Sequence, residues 1–96
     1  MSAAPTLLER VEAPLVNANE PESQVVELNA QPFSAVSAGE VLCTLETSKS
    51  TVEVESNHDG FVGAVHVAEF DRVEAGDPIC EIYDAMPERS AAAEEA

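Results

Sequence analysis

Basic residues are what this 96-residue chain has least of. Arg10, Lys49, Arg72 and Arg89 stand against 19 Asp and Glu, for a formal net charge of −15. A nucleic-acid backbone or an anionic membrane surface repels such a chain, because gripping either needs a basic patch. No nucleic-acid and no membrane partner is therefore expected, whereas a basic protein partner would be steered toward it. No apolar run approaches the roughly 18 residues of a membrane-spanning helix, and no secretory leader pattern opens the chain. With only two cysteines, these absences lead us to expect a soluble, reducing compartment, cytoplasmic by default. Catalytic signatures are missing too: there is no recognisable Ser-His-Asp triad signature and no phosphate-binding loop with its lysine. An autonomous enzyme is not expected. His58 and His66 are eight apart with no further ligands at a metal-site spacing, so no metal centre is expected.

What is present points to strands. Valine occurs twelve times against six leucines and two isoleucines, in short apolar or alternating segments. "VVEL" (25–28), "VLCTLE" (41–46), "TVEVE" (51–55), "FVGAVHV" (61–67) and "ICEIY" (79–83) are bounded by Gly, Pro, Asn and Ser clusters. Residues 7–13 supply a further strand, ended by Pro14. A chain this short supports one core. The division expected is a flexible N-terminus at 1–6, one domain over 7–84, and a flexible Ala- and Glu-rich tail at 85–96 that buries little apolar surface.

An internal repeat organises the core. A shift of 37 positions lays Val25 on Val62, Phe33 on Phe70, Val36 on Val73, Ala38 on Ala75, Gly39 on Gly76 and Cys43 on Cys80. Leu28/Val65, Glu40/Asp77, Leu42/Ile79 and Leu45/Ile82 are conservative pairs in the same register. Two similar β-units, each unable to bury its own apolar face, are expected to pack together as a flattened sandwich or barrel. On that plan Lys49, the sole lysine, falls in the four-residue link Thr47–Ser50 between two strands, near the tip of a hairpin with its ammonium away from the core.

Val36, Gly39, Leu42 and Leu45, then Glu46-Thr47-Ser48-Lys49-Ser50, then Val52, Val54 and Gly60, with Val73, Gly76 and Ile79 closing the second half, resemble the biotinyl/lipoyl attachment domain. The resemblance spans residues 7–84. It implies an all-β, flattened barrel-sandwich hybrid of two four-stranded antiparallel sheets related by a quasi-twofold axis. It also implies a carrier without a catalytic site of its own, whose Lys49 takes an amide-linked cofactor from a separate ligase or transferase. Glu46, Ser48 and Ser50 are then the residues read by the modifying enzyme. In lipoyl members the arm swings between dehydrogenase, acyltransferase and flavoprotein components of a multienzyme complex; in biotin carboxyl carrier members it carries carboxylate between two sites. Biotinyl members typically flank the lysine with methionines, and Ser48 and Ser50 stand here instead. Lipoate on Lys49 is the favoured reading, biotin the alternative, and an unmodified barrel-sandwich protein-binding module the rival from another class.

Two features depart from the pattern. Phe33 and Phe70 occupy places where the family often has glycine, and a phenylalanine held at positive φ is strained. Rebuilt loops, with both rings covering the sandwich ends, are therefore expected; the functional alternative is an exposed ring contacting a partner. The loop from Asn29 to Ser37 is expected near the lysine tip. Cys43 and Cys80 read as buried packing residues rather than a redox pair, and Glu53 and Glu55, alternating with Val52 and Val54, as the wet face of a strand.

Overall fold

A computed structural model describes residues 4–87. Its strands are β1 (Leu7–Glu12), β2 (Glu22–Leu28), β3 (Ala35–Val36), β4 (Val41–Glu46), β5 (Thr51–Glu55), β6 (Gly60–Val65), β7 (Arg72–Glu74) and β8 (Pro78–Tyr83). They form two open four-stranded antiparallel sheets, β1-β8-β6-β3 and β5-β4-β2-β7. The flattened barrel-sandwich expected from the sequence is the fold observed. Most of the expected tail, 88–96, and residues 1–3 of the expected flexible start lie outside the described residues.

Period-two alternation explains which faces meet. In β5 Val54 is buried while Thr51, Glu53 and Glu55 are exposed; in β4 the alternation is broken by a register irregularity between Val41 and Cys43, and Leu42, Cys43 and Leu45 are all buried. The core joins Val11, Val25, Val36, Leu42, Leu45, Val54, Val62, Val73, Ile79 and Ile82 with both cysteines and two alanines. Five of the 37-residue pairs, Val25/Val62, Val36/Val73, Leu42/Ile79, Cys43/Cys80 and Leu45/Ile82, are buried at both members. The repeat is thus the record of one apolar pattern used twice, and fully burying an aliphatic side chain of this size stabilises by about 1.5–3 kcal/mol.

The hydrogen bonds repeat as well. Phe33 N donates to Val62 O and Phe70 N to Val25 O, at 2.8 and 2.6 Å; Val62 N donates to Ser34 O and Val25 N to Asp71 O, both at 2.8 Å. Each half therefore closes its loop onto the other half, and neither is complete alone. Ser37 N on Glu40 Oε1 (3.0 Å) is matched by Glu74 N on Asp77 Oδ2 (2.9 Å), each acid closing the tight turn that carries Gly39 or Gly76 at φ of 88° and 95°. Only glycine takes that backbone conformation without strain. Gly60 serves a different purpose. It opens β6 against β8, and a Cβ there would run into the Tyr83 carbonyl oxygen.

The loops at Phe33 and Phe70 are not rebuilt. Both residues hold positive φ, 59° and 73°, so the glycine-like backbone is kept and the strain accepted. Their burial differs: Phe33 is half-buried, whereas Phe70 is 67% exposed. Neither ring is a full cover for a sandwich end.

Candidate functional site

β4 and β5 pair from Val41↔Glu55 to Glu46↔Thr51, leaving Thr47–Ser50 as the connecting turn. Thr47 organises it. Its N–H donates to Ser50 O at 2.8 Å, and its hydroxyl oxygen lies 3.2 Å from Ser50 N and 3.4 Å from Lys49 N, accepting from both. A threonine side chain that satisfies the amides of its own turn substitutes for a backbone acceptor and fixes the turn's shape. Lys49 is exposed at the apex, between exposed Ser48 and half-buried Ser50. Among the described residues its ammonium makes no ion pair.

A second support comes from outside the hairpin. The connection between β1 and β2 folds on itself at Asn17–Glu20, where Glu20 N donates to Asn17 O (2.9 Å) and Asn19 N to Asn17 Oδ1 (3.0 Å). This turn presents the Glu20 carboxylate to Ser48: Oε2 accepts from Ser48 N at 3.2 Å and Oε1 from the Ser48 hydroxyl. The Ser48 hydroxyl bond and then the Ser48 amide bond hold the Glu20 pKa below its ordinary value, against an opposing desolvation that outweighs the lesser help from the charge of Lys49. Lys49 is therefore flanked by two anchored residues, Ser48 through Glu20 and Ser50 through Thr47, while it is itself exposed.

Glu46, singled out from the sequence, is the last residue of β4 and is exposed, paired across the sheet with Thr51 and Gln24. Glu20 was not legible in the sequence, since 28 residues separate it from Ser48 and only folding joins them. Thr47 carried a signal, as a hydroxyl residue opening a four-residue turn. The loop from Asn29 to Ser37 is not near the lysine. Asn29 N and Ala30 N both donate to Leu42 O, and Ala35 and Val36 pair with Phe61 and Gly60, which puts this loop at the end where β4 begins. The connection bearing Glu20 takes the place expected of it.

The remaining candidates are structural. Cys43 and Cys80 are free and fully buried. Burial pushes the Cys43 thiol up to about 11; burial, helped by the charges of Glu81, Cys43 and Glu9, pushes Cys80 up to about 12. Thiolate chemistry is thereby suppressed. His66 Nε2 lies 2.7 Å from Glu81, and His58 Nδ1 3.3 Å from Glu9, which also accepts from Asn57.

A family model described as "Biotin-requiring enzyme", that of the biotinyl/lipoyl attachment domain, matches residues 9–82. The chain belongs to this family. Among solved structures, the biotinyl/lipoyl domain described here is similar to the lipoyl domain of the 2-oxoglutarate dehydrogenase complex of Azotobacter vinelandii, with 24% identity and a TM-score of 0.63 over 75% of this chain and 94% of that one. It is also similar to the urea carboxylase of Kluyveromyces lactis, with 22% identity and a TM-score of 0.64 over 85% of this chain and 7% of that one. At these identities the likeness is one of fold. No match was found among curated protein sequences.

Proposed function

We propose that this domain is a lipoyl carrier, with the cofactor joined through an amide to Nζ of Lys49. The observation that supports this reading best is the hairpin itself: the chain's one lysine is exposed at an apex whose flanking residues are both pinned. Amide formation needs an amine that can reach an activated carboxyl carbon, and an exposed lysine at a tip meets that need. Neighbouring serines leave room for a ligase or transferase to close over the turn. No other lysine competes. The lipoyl dithiolane, when bound, supplies reversible acyl transfer and redox chemistry. The protein contributes a rigid base and a flexible lysine stem, which together raise the local concentration of the arm's end at successive active sites. The partners implied are a lipoate ligase or transferase and the dehydrogenase, acyltransferase and flavoprotein components of a multienzyme complex.

Serine on both sides of Lys49 favours lipoate over biotin. Intact mass after incubation with ATP and either lipoate plus lipoate ligase or biotin plus biotin ligase tests the choice. We expect one lipoyl adduct on the native chain and none on Lys49→Ala, with the far-UV circular dichroism of the variant unchanged. A biotinyl adduct alone would move the protein to the other branch of the family, and no adduct with either ligase would leave it an unmodified module. An adduct persisting in the Lys49→Ala variant would overturn the site.

A further inference from the structure

The contact between Glu20 and Ser48 joins the turn that carries Lys49 to a part of the chain outside the hairpin. Both carboxylate oxygens are used, one on the Ser48 amide and one on its hydroxyl, and a carboxylate accepts at both positions only while ionised. Glu20 is itself held by a turn with two internal hydrogen bonds, Glu20 N on Asn17 O and Asn19 N on Asn17 Oδ1. It therefore approaches the hairpin from a preset position. We infer that Glu20 is a positioning residue for the modification of Lys49: it clamps Ser48, the residue immediately before the lysine, so that a modifying enzyme meets an ordered apex rather than a mobile one. This rests on the carrier reading above.

The physical consequence lies in where the ordering entropy is lost. Thr47 restrains the turn from inside, by bonds to Lys49 N and Ser50 N, and leaves Ser48 without a partner from within the hairpin. Glu20 supplies that partner. Without it the Thr47–Ser48 peptide and the Ser48 side chain are free to rock about the Thr47–Ser50 closure, and the enzyme must freeze that motion on binding. The effect belongs to recognition, so it raises KM and leaves kcat at saturation close to native. A role in overall stability predicts something else, namely a lowered Tm with unchanged kinetics once the protein is folded.

The test uses the full 96-residue chain, lipoate ligase, lipoate and ATP, with initial rates of adduct formation followed by intact mass as the concentration of unmodified carrier is varied. Glu20→Ala is expected to lower kcat/KM about tenfold, nearly all of it in KM, and to speed hydrogen exchange at the Ser48 amide. Ser48→Ala keeps its amide bond to Glu20 and is expected to lose about half as much on a logarithmic scale. Native rates and native Ser48 exchange in Glu20→Ala overturn the inference while leaving Lys49 a modified residue. Failure of the native chain to be modified sinks the carrier reading and the inference with it, so the two failures are distinguishable. An equal fall in kcat and kcat/KM, with KM unchanged, also overturns it, because that marks a group acting in the transition state rather than on the apex.

Discussion

Phe70 is the residue whose conformation and surroundings disagree most. A non-glycine side chain in the left-handed region costs roughly 1–2 kcal/mol, and a ring that is 67% exposed recovers little of that by burial. Phe33 holds nearly the same backbone conformation but is half-buried, so part of its strain is offset by packing. Replacing each by glycine relieves the same strain, removes different amounts of apolar contact, and adds the same flexibility to the unfolded chain. We expect Phe70→Gly to match or exceed native stability by up to about 1 kcal/mol, and Phe33→Gly to be the less stable of the two by about 1 kcal/mol or more. Chemical denaturation of the two variants under identical conditions checks the order, and the reverse order would show that the Phe70 ring contributes packing that its exposure conceals. The positive φ itself was readable as a tension in the sequence, phenylalanine standing where glycine is usual. The loop resolves that tension by accepting strain, because the mutual bonds of Phe33 N with Val62 O and Phe70 N with Val25 O need the backbone in that shape.

At the scale of elements, alternation carried the reading. β1, β4, β5 and β8 coincide with the apolar segments to within a residue or so, since each turns one face to the core. β3 and β7 were not legible as strands because two and three residues are too short to show a period; pairing with β6 and β2 defines them. β2 starts at Glu22 rather than Val25 for the same reason, its polar first turnings being held by β7. The hairpin at Lys49 was visible from the strand boundaries, but its external clamp was not. The internal closure gives a direct test. Thr47→Val keeps the β-branched shape and removes the acceptor shared by Lys49 N and Ser50 N. Losing the hydroxyl's long hydrogen bonds within the turn is expected to cost about 1 kcal/mol, with faster amide exchange at Lys49 and Ser50 and no change at β8. The clamp has its own pH signature. A depressed Glu20 pKa means that its contribution is complete above the ordinary carboxylate value of 4.5 and fades as pH falls through the lowered folded value. The Ser48 amide resonance should titrate in that acidic window in the native chain and stay flat in Glu20→Ala.

For the molecule as a whole, the quasi-twofold relation makes Thr6 and Asp84, at the open end of the β1–β8 pair, the counterpart of the lysine hairpin. Under the 37-residue shift Thr47 falls on Asp84, and Ser50 corresponds to Thr6, because Leu7 pairs with Tyr83 as Thr51 pairs with Glu46. The bonding is copied too. Asp84 N donates to Thr6 O at 3.0 Å, and Asp84 Oδ1 accepts from Thr6 N at 2.8 Å, as the Thr47 hydroxyl accepts from Ser50 N. Thr6 and Asp84 are thus placed as the two closing residues of a hairpin whose apex is open, and the covalent break can be moved. A circular permutant that joins Asp84 to Thr6 through a two-residue linker, the number between Thr47 and Ser50, and opens the chain between Ser48 and Lys49, should fold. Its stability should lie within about 2 kcal/mol of native, since a short closure carries little loop entropy and the strand pairings are unchanged. Opening instead between Val62 and Gly63, inside a strand paired on both sides, should abolish the cooperative transition. Equal failure of both permutants, read by thermal melting, would mean that the covalent hairpin at Lys49 is needed to bring the two sheets together, and that the likeness of the two ends is one of geometry without equivalence in energy.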